Sequence, residues 1–322
     1  MPQTVLVTGA SGFVGSHLSR ALVEAGHQVR AMTRHPDTYP GAGEPVFGDV
    51  ADQESLRSAM DGAQAAYYLV HSLESDDFED KDAEAARNFG RAAADAGVER
   101  IIYLGGLGVD DGELSAHLRS RRQVEKLLPE AGVPVTVLRA AVVIGHGGIS
   151  WEITRQLIDH LPAMLTPGWV NTRTQPIALP DVLRYLVGVL TAPEALGRTF
   201  EIGGPDVLRY IDMLQRAAAV QGKRLPNLSV PLLTPGLSSM WLALVTDVDT
   251  ATARNLVDSM TNEVIVTDRS IEDVVPGPTI GYDDAVRLAL ADRARAKTDD
   301  AASNPTEKSR SGSAGESSES AH

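Results

Sequence analysis

Two groups of residues in this 322-residue chain have the types and spacing that chemistry needs. The first is Thr8-Gly9-Ala10-Ser11-Gly12-Phe13-Val14-Gly15, set between the apolar run Val5-Leu6-Val7 and a helical pattern over Ser16–Ala25. Strand, glycine turn and helix N-terminus in that order form a site for a dinucleotide pyrophosphate. The chain must turn tightly at Gly9, approach the phosphates near Gly12, and pack helix on strand at Gly15, where a side chain would interfere. Free N–H groups and the positive end of the helix dipole then face the anion. Gly9, Ser11, Gly12, Phe13, Val14 and Gly15 are therefore candidate cofactor-binding residues. The second group is His117 and Arg121, four apart on one face of a helix predicted over Ser115–Leu128. A neighbouring guanidinium disfavours the imidazolium, so the histidine is expected to titrate below its reference of about 6.5. Neutral His117 can accept or donate a proton, and Arg121 can bind a ribose or a substrate anion. The same residues also read as a basic exposed face (Arg119, Arg121, Arg122) with a histidine that only hydrogen-bonds the cofactor.

The elements that must position these groups follow in order. His27–Arg34 reads as the second strand, with Gly26 before it and Pro36 after it. An acid at the end of that strand would bind a ribose 2′-hydroxyl and repel a 2′-phosphate, whereas an arginine favours the phosphate. Here the positions hold Thr33, Arg34 and His35, which favours NADP(H) over NAD(H); a solvated surface arginine is the alternative for Arg34. Residues 44–49 form a short third strand ending at Asp49-Val50, and a helix follows from Asp52 to Met60. Ala65–Val70 is the fourth strand, and Val70 and His71 lie where its carboxyl end would meet the nicotinamide half. His71 is a candidate site residue or an ordinary surface polar group. An alanine-rich helix spans 78–96, and Arg100–Leu104, the fifth strand, runs into Gly105-Gly106. Pro134–Arg139 is the sixth strand, continued by 140–145 towards the site, where His146-Gly147-Gly148 would roof the pocket. A helical pattern from Trp151 breaks at Pro162.

Composition bounds what such a site could serve. Hydrophobic residues make up 43% and charged residues 22%, an ordinary globular balance. The absence of cysteine excludes a disulfide scaffold, thiol catalysis and a cysteine-type zinc site, and no metal-ligand cluster stands out. The formal net charge of −14 argues against nonspecific nucleic-acid or anionic-membrane binding, which needs a basic face. No leader is expected ahead of Val5 and no apolar run approaches the ~20 residues of a membrane span, so a cytoplasmic protein is expected.

Later in the chain, 175–182 reads as a short strand and helix start with Asp181 as its N-cap, Thr199–Pro205 as a strand, Ile211–Gln221 as a helix and Tyr282–Lys297 as a closing helix. Leu237, Met240, Trp241 and Leu244 recur at helical spacing within 231–245, as a core helix or as an apolar wall for a substrate or partner. Trp151, Trp169 and Trp241 all fall in this half, although aromatic residues make up only 5% of the chain, which favours an apolar pocket.

Glycines at 9, 12 and 15 in Thr-Gly-x-x-Gly-x-x-Gly spacing, the Asp49-Val50 strand end, the 175–182 return and Phe200-Glu201-Ile202-Gly203-Gly204 together resemble an atypical or extended short-chain dehydrogenase/reductase. Tyr68–Ser72, Leu104–Gly108 and His117–Arg121 are similar to its NAD(P)H-binding, NmrA-like and epimerase-like members. The resemblance covers about 3–296. It implies a Rossmann-type doubly wound parallel sheet over 1–148, recurring at about 176–204, with a smaller discontinuous substrate lobe over 149–175 and 205–296 and a disordered tail from 297 to 322. It implies that Asp49 bonds the adenine amino group and Val50 packs on the ring; a turn or cap acid is the alternative for Asp49. Relatives of this kind carry a serine or threonine after the fifth strand, a Tyr-x-x-x-Lys pair on the next helix and Arg-Pro after the sixth strand. This chain has Gly105-Gly106, His117 with Arg121, and Arg139-Ala140 instead.

Three functions stay open. The first is an NADP(H)-dependent oxidoreductase of a small carbonyl, enone, quinone or isoprenoid-like substrate, with His117 as proton relay beside Arg121 and His71 as orienter. The second is a non-catalytic nicotinamide-cofactor sensor of the NmrA-like kind, in which the missing triad is the point. The third is a cofactor-retaining epimerase. A monomer, or a homodimer through the 78–96 helix as in many relatives, is expected.

Overall fold

A computed structural model describes residues 1–72, 77–108, 114–160, 164–166, 168–229 and 258–303. Strands β1 (Thr4–Val7), β2 (Gln28–Thr33), β3 (Glu44–Phe47), β4 (Ala65–Tyr68), β5 (Arg100–Gly106) and β6 (Val135–Ala140) alternate with helices α1 (Phe13–Glu24), α2 (Gln53–Ala59), α3 (Phe78–Asp95) and α4 (Ala116–Leu127). Chain alternation of this kind places helices on both faces of a parallel sheet. With β11 (Thr199–Ile202) the strands form a seven-stranded sheet in the order β3-β2-β1-β4-β5-β6-β11, every pair parallel. This is the doubly wound Rossmann order. Its sense reverses between β1 and β4, where open sheets of this type bind ligands beyond their strand ends.

Side chains leave a strand on alternate faces, so an apolar run feeds two cores at once. Val5, Val7 and Tyr67 pack with Leu18 and Leu22 of α1 and with Tyr185, Leu186 and Val189 of helix α6 (Leu179–Thr191). Leu6, Tyr68, Ile101 and Tyr103 pack on the other face with Leu56, Phe89 and Val124 of α2, α3 and α4. The small face of α3 is used within the chain: Ala83, Ala85, Ala86, Ala92 and Ala93 are buried, and a side chain at Gly90 would come within 2.6 Å of the Leu128 carbonyl.

A third core gathers around Trp151 on α5 (Ile149–His160), with Ile144 of β7 (Val143–Ile144), Ile211 and Leu214 of α7 (Tyr210–Val220), and Tyr282 and Val286 of the closing helix. Short strands β8 (Met164–Thr166), β9 (Arg173–Thr174), β10 (Ile177–Ala178), β12 (Leu208–Arg209) and β13 (Asn227–Ser229) join its parts, and the one-turn helix α8 (Ile271–Val274) packs back on α6.

The structure corrects several local expectations. The sixth strand does not continue through 145: β6 ends at Ala140, and β7 leaves the sheet to pair with β10. Asp181 does not cap α6, because Ala178 holds the N-cap and Pro180 opens the first turn. The Asp181 carboxylate instead accepts from the Ile280 N–H at 2.8 Å and from Arg184 at 3.4 Å, tying α6 to the chain ahead of the closing helix. That helix, α9, runs Tyr282–Ser303, so the chain just past Lys297 is helical; 304–322, 231–245 and Trp241 lie outside the described residues. Among the described residues, no helix is long and apolar enough to cross a membrane, and no group of three or more acidic or histidine side chains could hold a metal ion.

Candidate functional site

The glycine turn has the geometry its spacing requires. Gly9 adopts φ 61°, which a side chain disfavours, and its carbonyl accepts from the Gly12 N–H at 2.9 Å. A Cβ at Gly15 would collide with the Gly9 carbonyl oxygen, whereas one at Gly12 would meet only that oxygen, at 3.2 Å. Gly12 is also the N-cap of α1 and supplies no side-chain cap. Among the described residues no side chain caps the first-turn N–H groups, and Ser11 and Gly12 are exposed beside them. That cradle fits a dinucleotide pyrophosphate. Val14 packs inward on the sheet core, and the Phe13 ring lies on the turn after β7, where a Cβ at Gly148 would be 2.7 Å from it.

Thr8, which the spacing alone did not single out, locks this turn to the neighbouring strand. It is fully buried; its hydroxyl donates to the Tyr67 carbonyl at 3.0 Å and accepts from the Leu69 N–H at 2.9 Å. The end of β1 is thereby stitched to the chain that leads into Val70 and His71. On the other side, Ala10 N–H donates to Met32 at 3.4 Å and Gly48 N–H to Thr33 at 3.2 Å, which gathers the ends of β1, β2 and β3.

Arg34 and His35 are exposed at the end of β2, and the Arg34 side chain makes no hydrogen bond or ion pair with the described residues. The Thr33 hydroxyl accepts from the His35 N–H at 3.2 Å. One Asp49 oxygen accepts from the Ala51 N–H at 2.9 Å, a turn-acid contact, while Val50 is half-buried and its carbonyl accepts from Asn88 at 3.3 Å.

His71, in the loop after β4, comes near His117 and Arg121 of α4. The protein packed around His71 pushes its imidazole down to about 3, with further depression from Arg121 and then His117, although the ring keeps an exposed edge. His117 is half-buried, and desolvation followed by the Arg121 charge pushes it down to about 3 as well. Both imidazoles are thus neutral at pH 7. The bases of α4 do not form one exposed face. Arg119 points outward to Glu79 at 3.3 Å; Arg122 is buried, donating to the Gly106 and Gly108 carbonyls at 3.1 and 2.6 Å; Arg121 lies between them over Gly106.

Gly105 and Gly106 face different surroundings. A Cβ at Gly105 would be 2.9 Å from a Glu125 oxygen and 3.0 Å from the Tyr103 ring; at Gly106 it would meet Leu118 at 2.9 Å and Arg121 at 3.6 Å. Side chains of α4 lie against both positions, so a hydroxyl-bearing residue at either would have to displace them.

Two buried carboxylates beneath the site were not singled out by spacing. Asp82 of α3 accepts from the Ser72 N–H and the Ser120 hydroxyl, each at 2.9 Å, so it ties the His71 loop to the residue before Arg121. Glu125 accepts from Arg122 at 2.8 Å and from Arg139 at 2.7 Å. An acid on an alanine-rich helix and another among four bases carried no signal beyond ordinary surface charge. Next to them the Tyr68 hydroxyl is buried without a hydrogen-bond partner among the described residues, and the buried Tyr103 hydroxyl lies within hydrogen-bonding reach of Arg121. Burial raises the pKa of each; Arg121 opposes the rise at both.

Comparison with known proteins agrees with this geometry. An NAD(P)H-binding family model matches residues 9–160. An uncharacterized protein of Mycobacterium tuberculosis is 28% identical over 187 residues, covering 58% of this chain and 20% of the relative, so the chain spans about a fifth of that protein's length. The triphenylmethane reductase of Citrobacter sp. complexed with NADP(H) superposes with a TM-score of 0.74 at 17% identity, covering 89% of this chain and 99% of the other. The NADPH-dependent quinone oxidoreductase QOR2 of Escherichia coli complexed with NADPH gives 0.72 at 19% identity, covering 88% and 98%. With these the fold is shared. The glycine turn and the parallel strand order agree with the NAD(P)H-binding match over residues 9–160 and with the Rossmann-type fold that these structures share.

Proposed function

We propose that the protein is an NADP(H)-dependent oxidoreductase acting on a small carbonyl, enone, quinone or isoprenoid-like substrate. The observation that carries this reading is that the glycine cradle, beyond the carboxyl end of β1, lies against Leu69-Val70 of the chain leading into His71, which is itself near His117 and Arg121. The cradle over Gly9, Ser11, Gly12, Phe13, Val14 and Gly15 holds the pyrophosphate. Thr33, Arg34 and His35 take the 2′-phosphate end, Asp49 and Val50 flank the adenine, and Val70, His71 and the Gly105 strand end line the nicotinamide half. Exposed Arg34, without a described partner, is the cation on which phosphate preference rests. The two superposed reductases are described with NADPH and NADP(H), which supports the same choice. When bound, the nicotinamide supplies the hydride; His117 and Arg121 orient and polarise the substrate and His71 fixes the nicotinamide end.

A second reading, a cofactor-sensing regulator, is favoured by one observation: the hydroxyl-bearing positions are filled by Gly105 and Gly106, closed over by α4. Calorimetric titration of NADPH, NADP⁺, NADH and NAD⁺ on the wild type and Arg34→Ala decides the cofactor assignment. A preference for the phosphorylated pair that collapses in the variant is expected; no binding at all would sink the assignment. NADPH oxidation with a carbonyl and quinone panel, with His117→Ala as control, separates enzyme from sensor.

A further inference from the structure

We propose that, given the oxidoreductase reading above, the substrate is an α,β-unsaturated ketone whose carbonyl oxygen is held on Arg121 and takes up negative charge there. An isolated ketone that accepts hydride becomes an alkoxide and needs a proton in the same step. An enone becomes an enolate, whose delocalised charge a fixed cation in a low-dielectric cleft can hold without immediate protonation.

The arrangement of charge around Arg121 favours the second case. Among the described residues, the nearby carboxylates Glu125 and Asp82 are engaged by other groups. Both oxygens of Glu125 are taken by Arg122 and Arg139, the Arg139 contact spanning both oxygens at 2.7 to 3.2 Å. Both oxygens of Asp82 are taken by Ser72 and Ser120. The Arg121 side chain reaches the Tyr103 hydroxyl but makes no ion pair with a described residue, and it stands over Gly106 close enough to depress two histidines. A half-buried guanidinium with no carboxylate on it among the described residues is a site for an anion.

The groups that could deliver a proton are unsuited to it among the described residues. His71 and His117 are neutral imidazoles, poor acids at pH 7. The Tyr68 and Tyr103 hydroxyls are buried below the cleft, and burial raises their pKa further. Gly105 and Gly106 bring no hydroxyl. What remains at the reacting end is a cation with two hydrogen-bonding imidazoles.

The step balances without another reactant. The C4–H bond of the reduced nicotinamide breaks, and hydride forms a C–H bond at the β-carbon of the enone. The C=C pair becomes the bond between the α- and carbonyl carbons, the C=O pair moves to oxygen, and the nicotinamide is left oxidised. Water protonates the α-carbon of the enolate afterwards.

The test uses 4-nitrophenol as an enolate mimic, read by its phenolate absorbance on the full-length protein saturated with NADP⁺, with NADP⁺ binding followed separately by calorimetry. The apparent pKa of the bound probe is expected to fall by about one unit or more, as beside a fixed cation. The shift should vanish in Arg121→Met and persist in part in Arg121→Lys, with far-ultraviolet circular dichroism unchanged in both. NADPH oxidation should follow the same line, with cyclohex-2-enone turned over and cyclohexanone not. No probe shift, or an equal shift in Arg121→Met, with NADP⁺ still bound, overturns the enone assignment and leaves the cofactor reading intact. Turnover of cyclohexanone at a comparable rate also overturns it. Failure to bind NADP⁺ overturns both.

Discussion

His117 and Arg121 lie one helical turn apart on α4, and there desolvation first and the Arg121 charge second push the His117 imidazole down to about 3. NMR titration of the ring should therefore show no protonation between pH 5 and 8, and Arg121→Met should move His117 upward. Protonation of wild-type His117 near its ordinary value would disprove the proximity effect. The sign for stability follows from linkage. The unfolded chain binds this proton below about 6.5 and the native chain does not until about 3, so stability is fully present above the unfolded value and is lost as pH falls between them.

The glycine cradle offers a steric prediction. Gly15→Ala drives a methyl group into the Gly9 carbonyl, and backbone cannot swing aside as a flexible side chain can. A loss of about 1–3 kcal/mol in stability is expected, together with weaker NADPH binding. Thermal unfolding and calorimetry measure the two effects, and an unchanged variant in both would refute the close packing of α1 on this turn.

Glu125 holds two arginines in a buried cluster, with its side chain 7% exposed. Glu125→Ala would strand Arg122 and Arg139 without their shared carboxylate, at a cost of about 3–5 kcal/mol. Urea denaturation checks this, and a loss below 1 kcal/mol would mean that water reaches the cluster.

Asp82 is expected to act on the site through the loop it holds. Asp82→Ala removes the acceptor for both Ser72 and Ser120, at about 2–3 kcal/mol for hydrogen bonds to a charged group. Asp82→Asn keeps one acceptor for the Ser72 N–H and should recover much of the stability. If the cofactor affinities of the two variants are equally reduced, the anchoring of the His71 loop is not what Asp82 contributes.

The order of elements was readable from β1 to β6 because each βα unit is local: an apolar run, a turn signal and a helical period sit within a few dozen residues, whereas the short strands β8, β9, β12 and β13 beyond α5 gave no such signal. The Gly9–Gly15 cradle could be read for the same reason, since every contact that requires glycine there lies within the turn itself. The i, i+4 pairing of His117 with Arg121 was equally local. What the chain by itself determined, then, is the sheet, the nucleotide turn and the face shared by those two side chains. Tertiary structure alone decided the rest. That Arg121 makes no ion pair with Glu125 or Asp82 turns on their engagement by Arg139 and Ser72, residues brought close only by β6 and by the loop after β4. The departure of β7 from the sheet and the use of Asp181 as a tether to Ile280 likewise turn on partners distant in sequence. Charge becomes chemistry here through desolvation and competition for partners, and both are properties of the packed molecule, which no local window of sequence contains.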